Sequence, residues 1–93
     1  MPDLMSELVG GEMYSYYPLG EYVVRAPDVC AGRPTFKYTR IEIEGTLGRL
    51  ASGESIEQLV LGYRGRVTAE AITEAVHLVT NGYINSLPEL QPA

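Results

Sequence analysis

Residues 53–72 read GESIEQLVLGYRGRVTAEAI, and this stretch decides the predicted fold. It contains two apolar stripes with helical spacing, separated by a short glycine-containing link at residues 64–67. Ser55 and Thr68 each stand where a helix N-cap is needed, and Ser55 with Gln58 three residues later matches a capping box. The stretch therefore predicts two short helices joined by a tight turn, as in a helix-turn-helix.

A third helical pattern lies on the N-terminal side of this pair. Thr39 and Glu42 match another capping box, and Gly53 suits a left-handed C-terminal cap. Gly45 and Gly48 inside the pattern cost roughly 1 kcal/mol each relative to alanine, which indicates that another backbone packs closely there, within the chain or across a dimer. The predicted helices span about residues 40–52, 55–63 and 68–82 and indicate a mainly α protein with a three-helix core.

The residues on either side of the helices are predicted to be less regular. Two stretches rich in β-branched and aromatic residues, 22–25 and 35–38, suit short strands, so the chain between them forms an extended arm or a small β-hairpin. The tyrosines near the N-terminus are expected to pack on the body of the domain or on a second copy. The predicted organisation is a flexible, aromatic-rich lead at residues 1–21, one domain at 22–84 with its arm at 22–38, and a frayed tail at 85–93.

The charge of the chain limits its partners. A net charge of −5 argues against a surface devoted to phosphate binding, because nucleic-acid affinity comes largely from lysine and arginine. Basic residues nevertheless concentrate in residues 25–40, where four bases stand against one acid. The candidate residues for binding a partner or a nucleic acid are three from this stretch and two from the helix–helix link: Arg33, Lys37, Arg40, Arg64 and Arg66.

No set of residues with catalytic or metal-binding spacing stands out. His77 is the single histidine, and with Glu74 one helical turn earlier it is interpreted as half of a surface pair rather than as a metal ligand. Cys30 is the single cysteine, which excludes an intrachain disulfide and indicates a small apolar role. We therefore expect a protein that is not an enzyme and that needs no metal or other cofactor.

Targeting and membrane signals are also missing from the sequence. No apolar run approaches the roughly 20 residues that a membrane-spanning helix needs. The first residues lack a basic segment followed by an apolar one. These observations predict a cytoplasmic protein without a membrane partner.

Four ordered motifs give the chain a resemblance to a known family. They are APDVCAGRPT at residues 26–35, TRI at 39–41, GESIEQL at 53–59 and VTAEAI at 67–72. In this order they resemble the bacterial DUF433 family, a domain of unknown function. The resemblance implies a homeodomain-like, helix-turn-helix bundle of three helices with an extended N-terminal arm. It also implies a role as the antitoxin of a toxin–antitoxin pair, whose toxin is usually a small PIN-related nuclease.

The chain departs from the family pattern at Tyr38, where the family usually has glycine. This departure predicts that the backbone at Tyr38 does not need the left-handed conformation that glycine tolerates best. The aromatic residues 12–21 also lie outside the family pattern.

Three functions remain open at this point. As an antitoxin-like binding module, the chain would insert Arg33, Lys37 or Arg40 among the metal-binding carboxylates of the nuclease. As a helix-turn-helix transcriptional regulator it would bind DNA, although the last helix carries Glu70 and Glu74 on its outer face, where phosphates would repel them. As an oligomerisation module it would bind only itself. In each case we expect a homodimer.

Overall fold

A four-stranded antiparallel sheet and three helices form the protein in a computed structural model that describes residues 4–82. The strands lie side by side in chain order, β1 to β4. The strands are β1 (Met5–Val9), β2 (Glu12–Pro18), β3 (Val23–Arg25) and β4 (Pro34–Phe36), and the helices are α1 (Ile43–Ala51), α2 (Ile56–Gly62) and α3 (Ala69–Thr80). No helix within residues 4–82 is long and apolar enough to cross a membrane.

The prediction of a mainly α, three-helix bundle is wrong, because a sheet of four strands makes up a large part of the fold. Much of the missing sheet lies in residues 1–21, where a flexible lead was expected. There β1 and β2 form a hairpin whose two-residue loop, Gly10 and Gly11, has φ angles of 58° and 84°. Such a turn needs positive φ at both positions, so two adjacent glycines are well suited to it. The frayed tail predicted for residues 85–93 lies outside the described residues.

Strand β2 joins two parts of the sheet. Its first five residues pair with β1, from Val9 opposite Glu12 to Met5 opposite Tyr16. Its last two residues, Tyr17 and Pro18, pair instead with β3. The short β3 then pairs with β4, which is the hairpin that the sequence favoured for residues 22–38. The sheet is therefore offset, and its N-terminal hairpin extends beyond the strands that carry the helices.

The main core lies between the β3–β4 hairpin and the helices. Strand β4 contacts α1 and strand β3 contacts α3, so the helices and the hairpin share one apolar interior. The interior is made of side chains that are nearly or fully inaccessible to water: Val23, Phe36, Ile43, Leu47, Leu59, Val67, Ala71, Ile72, Ala75 and Leu78. A three-helix bundle alone would leave Val23 and Phe36 without this packing.

A second, smaller cluster lies between β2 and the β3–β4 hairpin. Tyr16, Val24 and Ala26 are its buried members. Thr35 is also fully buried, and its hydroxyl has no hydrogen-bond partner among residues 4–82. Thr35 stands opposite Val24 in the sheet, and a buried hydroxyl without a partner costs free energy at that position.

The helix starts agree with the sequence in two cases and differ in one. The Ser55 hydroxyl accepts a hydrogen bond from the Gln58 backbone N–H, and the Gln58 side chain accepts one from the Ser55 backbone N–H, which confirms the predicted capping box. Thr68 caps α3. The capping box predicted at Thr39 is wrong, since α1 begins at Ile43 with no side-chain cap. Instead the Thr39 hydroxyl donates to the Phe36 carbonyl at 2.8 Å and accepts from the Ile41 amide at 3.0 Å, which closes the turn after β4.

Candidate functional site

The five predicted binding residues lie in three connecting segments, two of which meet at a cavity. Lys37 and Arg40 belong to the turn between β4 and α1, and Arg33 directly precedes β4. Arg64 and Arg66 lie in the link between α2 and α3. The turn and the link meet at this cavity of about 370 Å³, which Lys37 and Arg66 both line. The remaining lining residues come from the segment before β3, the end of β4 and the turn after it, and the link into α3 with the first turn of that helix: Glu21, Tyr22, Phe36, Tyr38, Val67, Thr68 and Ala71.

Arg33 is held by an acid of its own chain. Its Nε donates to one carboxylate oxygen of Glu42 at 2.7 Å, and its second guanidinium nitrogen donates to the other oxygen at 3.2 Å. This two-point pairing holds the pKa of the Glu42 carboxyl below its usual range. Because Glu42 stands directly before α1, the pair joins the entry of β4 to the start of that helix. Arg33 is therefore already engaged within the chain.

Lys37 is likewise engaged, in a group of side chains that we call the tyrosine cluster: Glu7, Tyr14, Tyr16, Lys37 and Tyr38. The Lys37 ammonium lies 4.8 Å from the ring centre of Tyr16 and 5.0 Å from that of Tyr38, within cation–π range. It also lies 3.4 Å from a carboxylate oxygen of Glu7. The ring of Tyr14 packs against Tyr16 and Tyr38, with ring centres 5.1 and 5.4 Å apart. The cluster thus connects the turn after β4 to the N-terminal hairpin.

Hydrogen bonds set the protonation of this cluster. The hydroxyls of Tyr16 and Tyr38 both donate to the Glu7 carboxylate, the latter at 2.7 Å. These two hydrogen bonds hold the pKa of Glu7 below its usual range, with the larger effect from Tyr16. The charge of Lys37 lowers this pKa as well. The neighbouring Tyr16 phenol in turn raises the pKa of Lys37. At neutral pH the cluster is therefore an internal ion pair surrounded by phenols, and Lys37 is not a free cation.

Tyr38 has a left-handed backbone, with φ of 68°, so the prediction that this position does not need such a conformation is wrong. A non-glycine residue is strained there by about 1–2 kcal/mol. The tyrosine cluster offsets the strain, because the Tyr38 amide donates to the Tyr14 hydroxyl at 3.0 Å and the Tyr38 hydroxyl binds Glu7. The contacts of this side chain explain how tyrosine is accommodated where glycine would be easiest.

The other three arginines have no ion pair or side-chain hydrogen bond with any residue between 4 and 82. Arg40, Arg64 and Arg66 are all exposed. The Arg40 backbone carbonyl accepts a weak hydrogen bond from the Cys30 thiol at 3.4 Å. This bond does not involve the guanidinium, and the residue is exposed to solvent. Arg64 has φ of 57° and is followed by Gly65 at 74°, so the link turns sharply, and both Arg64 and Arg66 are exposed on it. Among the five candidate residues, these three arginines are the ones that residues 4–82 leave without a carboxylate partner.

The outer face of α3 has a different character. Glu70, Thr73 and His77 are exposed along a groove of about 520 Å³ that also includes Glu74. Glu74 is not paired with His77 as the sequence suggested. Its carboxylate instead accepts from the backbone amides of Glu21, Tyr22 and Val23, at 2.9, 2.8 and 3.1 Å. Within the described part of the chain, no three residues are placed to hold a metal ion.

Comparison with known proteins gives one match. The model of the family described as "Protein of unknown function (DUF433)" matches residues 23–77. These residues run from the start of β3 into α3, so the N-terminal hairpin lies outside the match. The search of curated proteins and the search of solved structures each found no match.

Proposed function

This chain belongs to the DUF433 family, and from that premise we propose that it is a non-catalytic, antitoxin-like binding module that inhibits a PIN-related nuclease. The observation that carries the proposal is the set of three exposed arginines, Arg40, Arg64 and Arg66, in a chain whose net charge is −5. The partner that such isolated cations suit is a compact acidic site rather than an extended polyanion. The carboxylates of a metal-dependent nuclease form a site of this kind, and arginine pairs with carboxylates at two points.

The division of the basic residues supports the choice of contact residue. Arg33 and Lys37 would have to leave Glu42 and Glu7 before binding a partner's carboxylates. Arg40 has no such competitor within residues 4–82, and it lies in the turn that directly precedes α1. Arg64 and Arg66 have no such competitor there either, so Arg40 is chosen first for its place in the basic stretch at residues 25–40, and Arg66 at the neighbouring cavity is the next candidate.

The proposal requires a PIN-related nuclease encoded by a neighbouring gene, and it is tested by mixing the purified chain with that nuclease and measuring RNA cleavage. We expect inhibition, and we expect Arg40→Ala to weaken it about tenfold or more, because a charge-assisted hydrogen bond contributes about 1.5–3 kcal/mol. Arg33→Ala is the matched control, since the same charge is removed at a residue that Glu42 already holds. Absence of inhibition, or an equal loss in both variants, would contradict the proposal.

DNA binding is the second candidate, and the position of Arg64 and Arg66 favours it. They flank the turn that leads into α3, where phosphate contacts would orient that helix on a duplex. The exposed Glu70 on α3 opposes entry into the major groove, so this function would depend on backbone contacts alone. Binding to the DNA upstream of its own gene would then fall steeply with salt, and replacing both arginines with alanine would reduce the log–log slope by about 1.8. No binding at low salt excludes this candidate.

A further inference from the structure

Strand β1 forms an open edge of the sheet. It pairs with β2 on one side, and no residue between 4 and 82 pairs with its other side. The opposite edge, β4, is protected: Pro34 lies at its start, and Thr35 forms a further bridge with Glu42. Proline and short, covered strands are the usual means of keeping sheet edges from associating. Within residues 4–82, β1 is therefore the edge strand that is left open along its length.

The register of the hairpin shows which backbone groups face outward. Val9 and Glu12 flank the two-residue loop, and the residues that flank such a loop form a hydrogen-bonded pair. Hydrogen-bonded pairs alternate along an antiparallel ladder, so Val9, Glu7 and Met5 direct their amides and carbonyls toward β2. The amides and carbonyls of Ser6 and Leu8 consequently point away from the sheet, at the open edge.

The side chains of β1 do nothing to block this edge. Its sequence, MSELV, contains no lysine or proline, and its register with β2 has no bulge. Its single charged residue, Glu7, has its carboxylate in the tyrosine cluster, paired with Lys37. An exposed apolar edge strand without such protection is a site at which another strand adds.

One face of the same hairpin is apolar and uncharged. Leu8 is 73% exposed and stands opposite Met13, which is 66% exposed. Ser6 and Ser15 are the other cross-strand pair on this face, and their hydroxyls hydrogen-bond to each other at 2.9 Å. Exposed apolar side chains that are contiguous in this way mark interaction surfaces.

We propose that β1 pairs antiparallel with β1 of a second copy of this chain, so that two four-stranded sheets form one continuous eight-stranded sheet. With Glu7 at the two-fold axis, Ser6 of each copy stands opposite Leu8 of the other. In each of these two pairs, the amide of each residue donates to the carbonyl of the other. The two amides and two carbonyls that Ser6 and Leu8 direct outward from each strand are thereby all hydrogen-bonded. Met5 then stands opposite Val9 of the second copy.

Charge favours a second copy over an unrelated strand. Copies that each carry a charge of −5 repel one another, so they associate best through a surface that bears no net charge, and the β1 edge is such a surface. A foreign peptide would be selected by complementary charge or by side-chain pockets, and the outer side of β1 offers neither within residues 4–82. Since β4 is covered, the assembly closes at two copies and does not extend into a fibre.

The test is the oligomeric state of the full chain by sedimentation equilibrium. We expect a dimer with a dissociation constant in the micromolar range, as for small interfaces. Of the backbone hydrogen-bonding groups, Ser6→Pro removes only the outward amide, so the hairpin is retained and the dissociation constant rises by about tenfold or more. Ser6→Ala is the matched control, because it loses the hydroxyl but keeps the amide, and it should remain dimeric. A monomeric wild-type chain would overturn the proposal.

A charged pair of variants and hydrogen exchange identify the surface. Leu8→Lys places a cation beside the two-fold axis in both copies and should yield a monomer, whereas Leu61→Lys adds the same charge on α2, where Leu61 is 79% exposed, and should leave a dimer. The Ser6 and Leu8 amides should exchange more slowly as protein concentration rises, while the Glu7 amide is protected throughout. A dimer that survives Leu8→Lys, or Ser6 and Leu8 amides that exchange at the same rate at all concentrations, would place the interface elsewhere. The oligomeric state measured in these experiments does not depend on whether the chain inhibits a nuclease.

Discussion

The helical body, from β3 to α3, and the N-terminal hairpin, β1 and β2, are stabilised by different kinds of contact. The body encloses an apolar core in which Val23, Leu59 and Ile72 are completely inaccessible to water. The outer part of the hairpin contacts the body through the tyrosine cluster, which is polar and partly exposed. The family match coincides with the body and stops short of the hairpin. The hairpin is therefore attached by the pairing of β2 with β3, by the small cluster around Tyr16 and by a few specific polar groups, whereas the body is held by a larger buried core.

The largest effect is expected from the core of the body. Leu59→Ala removes a fully buried side chain and should lower the free energy of unfolding by about 2–5 kcal/mol. Leu61→Ala on the same helix removes an exposed side chain and should change it by less than about 0.5 kcal/mol. Urea denaturation followed by circular dichroism measures both. Equal effects would show that the body is not held by the core described above.

The next effect concerns the connection between the two regions. Glu74→Ala leaves the amides of Glu21, Tyr22 and Val23 without their acceptor, which should cost about 1–3 kcal/mol. Glu70→Ala removes an exposed carboxylate from the same helix and serves as the control, with a change near zero. Denaturation measurements on both variants decide between a structural Glu74 and one that is merely on the surface. If Glu74→Ala left the free energy of unfolding unchanged, water would be replacing the carboxylate as the acceptor at no cost.

A smaller effect, of opposite sign, is expected where the hairpin meets the body. Thr35→Val replaces the buried, unpartnered hydroxyl with a methyl group and should raise the free energy of unfolding by about 1 kcal/mol. Thr46→Val is the matched control, because the Thr46 hydroxyl bonds to the Tyr63 hydroxyl at 2.8 Å and should destabilise when removed. Calorimetric melting temperatures compare the two. Destabilisation by Thr35→Val would indicate that its hydroxyl has a partner beyond residues 4–82.

Gly45 tests the expectation that another backbone packs against α1. A Cβ atom at Gly45 would meet no atom within 4 Å, so nothing within the described chain requires glycine there. Gly45→Ala should therefore stabilise the body by about 0.5–1 kcal/mol through helix propensity. Gly53→Ala, at a φ of 110°, should destabilise it. If Gly45→Ala instead weakens the protein in a concentration-dependent way, a second copy packs against α1.

The smallest effect is confined to the hairpin and depends on pH. The pKa of Glu7 is lowered in the folded state, so its contribution to stability is complete above the ordinary value of 4.5 and is lost as pH falls through the lower, folded value. The protection factors of the β1 and β2 amides, which correct for the intrinsic pH dependence of exchange, should fall over that acidic range, before those of the body. Glu7→Gln should exchange faster at neutral pH and lose this pH dependence. A wild-type hairpin that is equally protected at pH 7 and pH 3 would contradict the role of the cluster.

The helix caps in the C-terminal half were predicted correctly from residues that are close together in the sequence. The capping box at Ser55 and the cap at Thr68 were predicted because each involves residues three positions apart. The hairpin was missed although its turn is also local: two adjacent glycines between Val9 and Glu12 are a strong hairpin signal. At Thr39 the pattern was present but a competing turn used the hydroxyl instead.

The candidate binding residues show more sharply what the sequence could not predict. The basic stretch at residues 25–40 was visible in the sequence, but the sequence did not show which of its cations would be neutralised. Glu7 lies thirty positions before Lys37 along the chain, and only the pairing of β1 with β2 brings it there. Arg40 differs from Arg33 in the same way, because the Arg33 partner Glu42 is set by the turn between β4 and α1.

By itself, the sequence determined the family, the two C-terminal helix starts and the set of candidate cations, because these depend on residue type and on short spacings. Only the tertiary structure decided that the fold is a sheet with helices, that Lys37 and Arg33 are engaged while Arg40, Arg64 and Arg66 are exposed, and that β1 has an open edge. The physical reason is that strand pairing and ion pairing join groups far apart in the chain. Their free energy depends on which alternative partners the whole fold brings within reach.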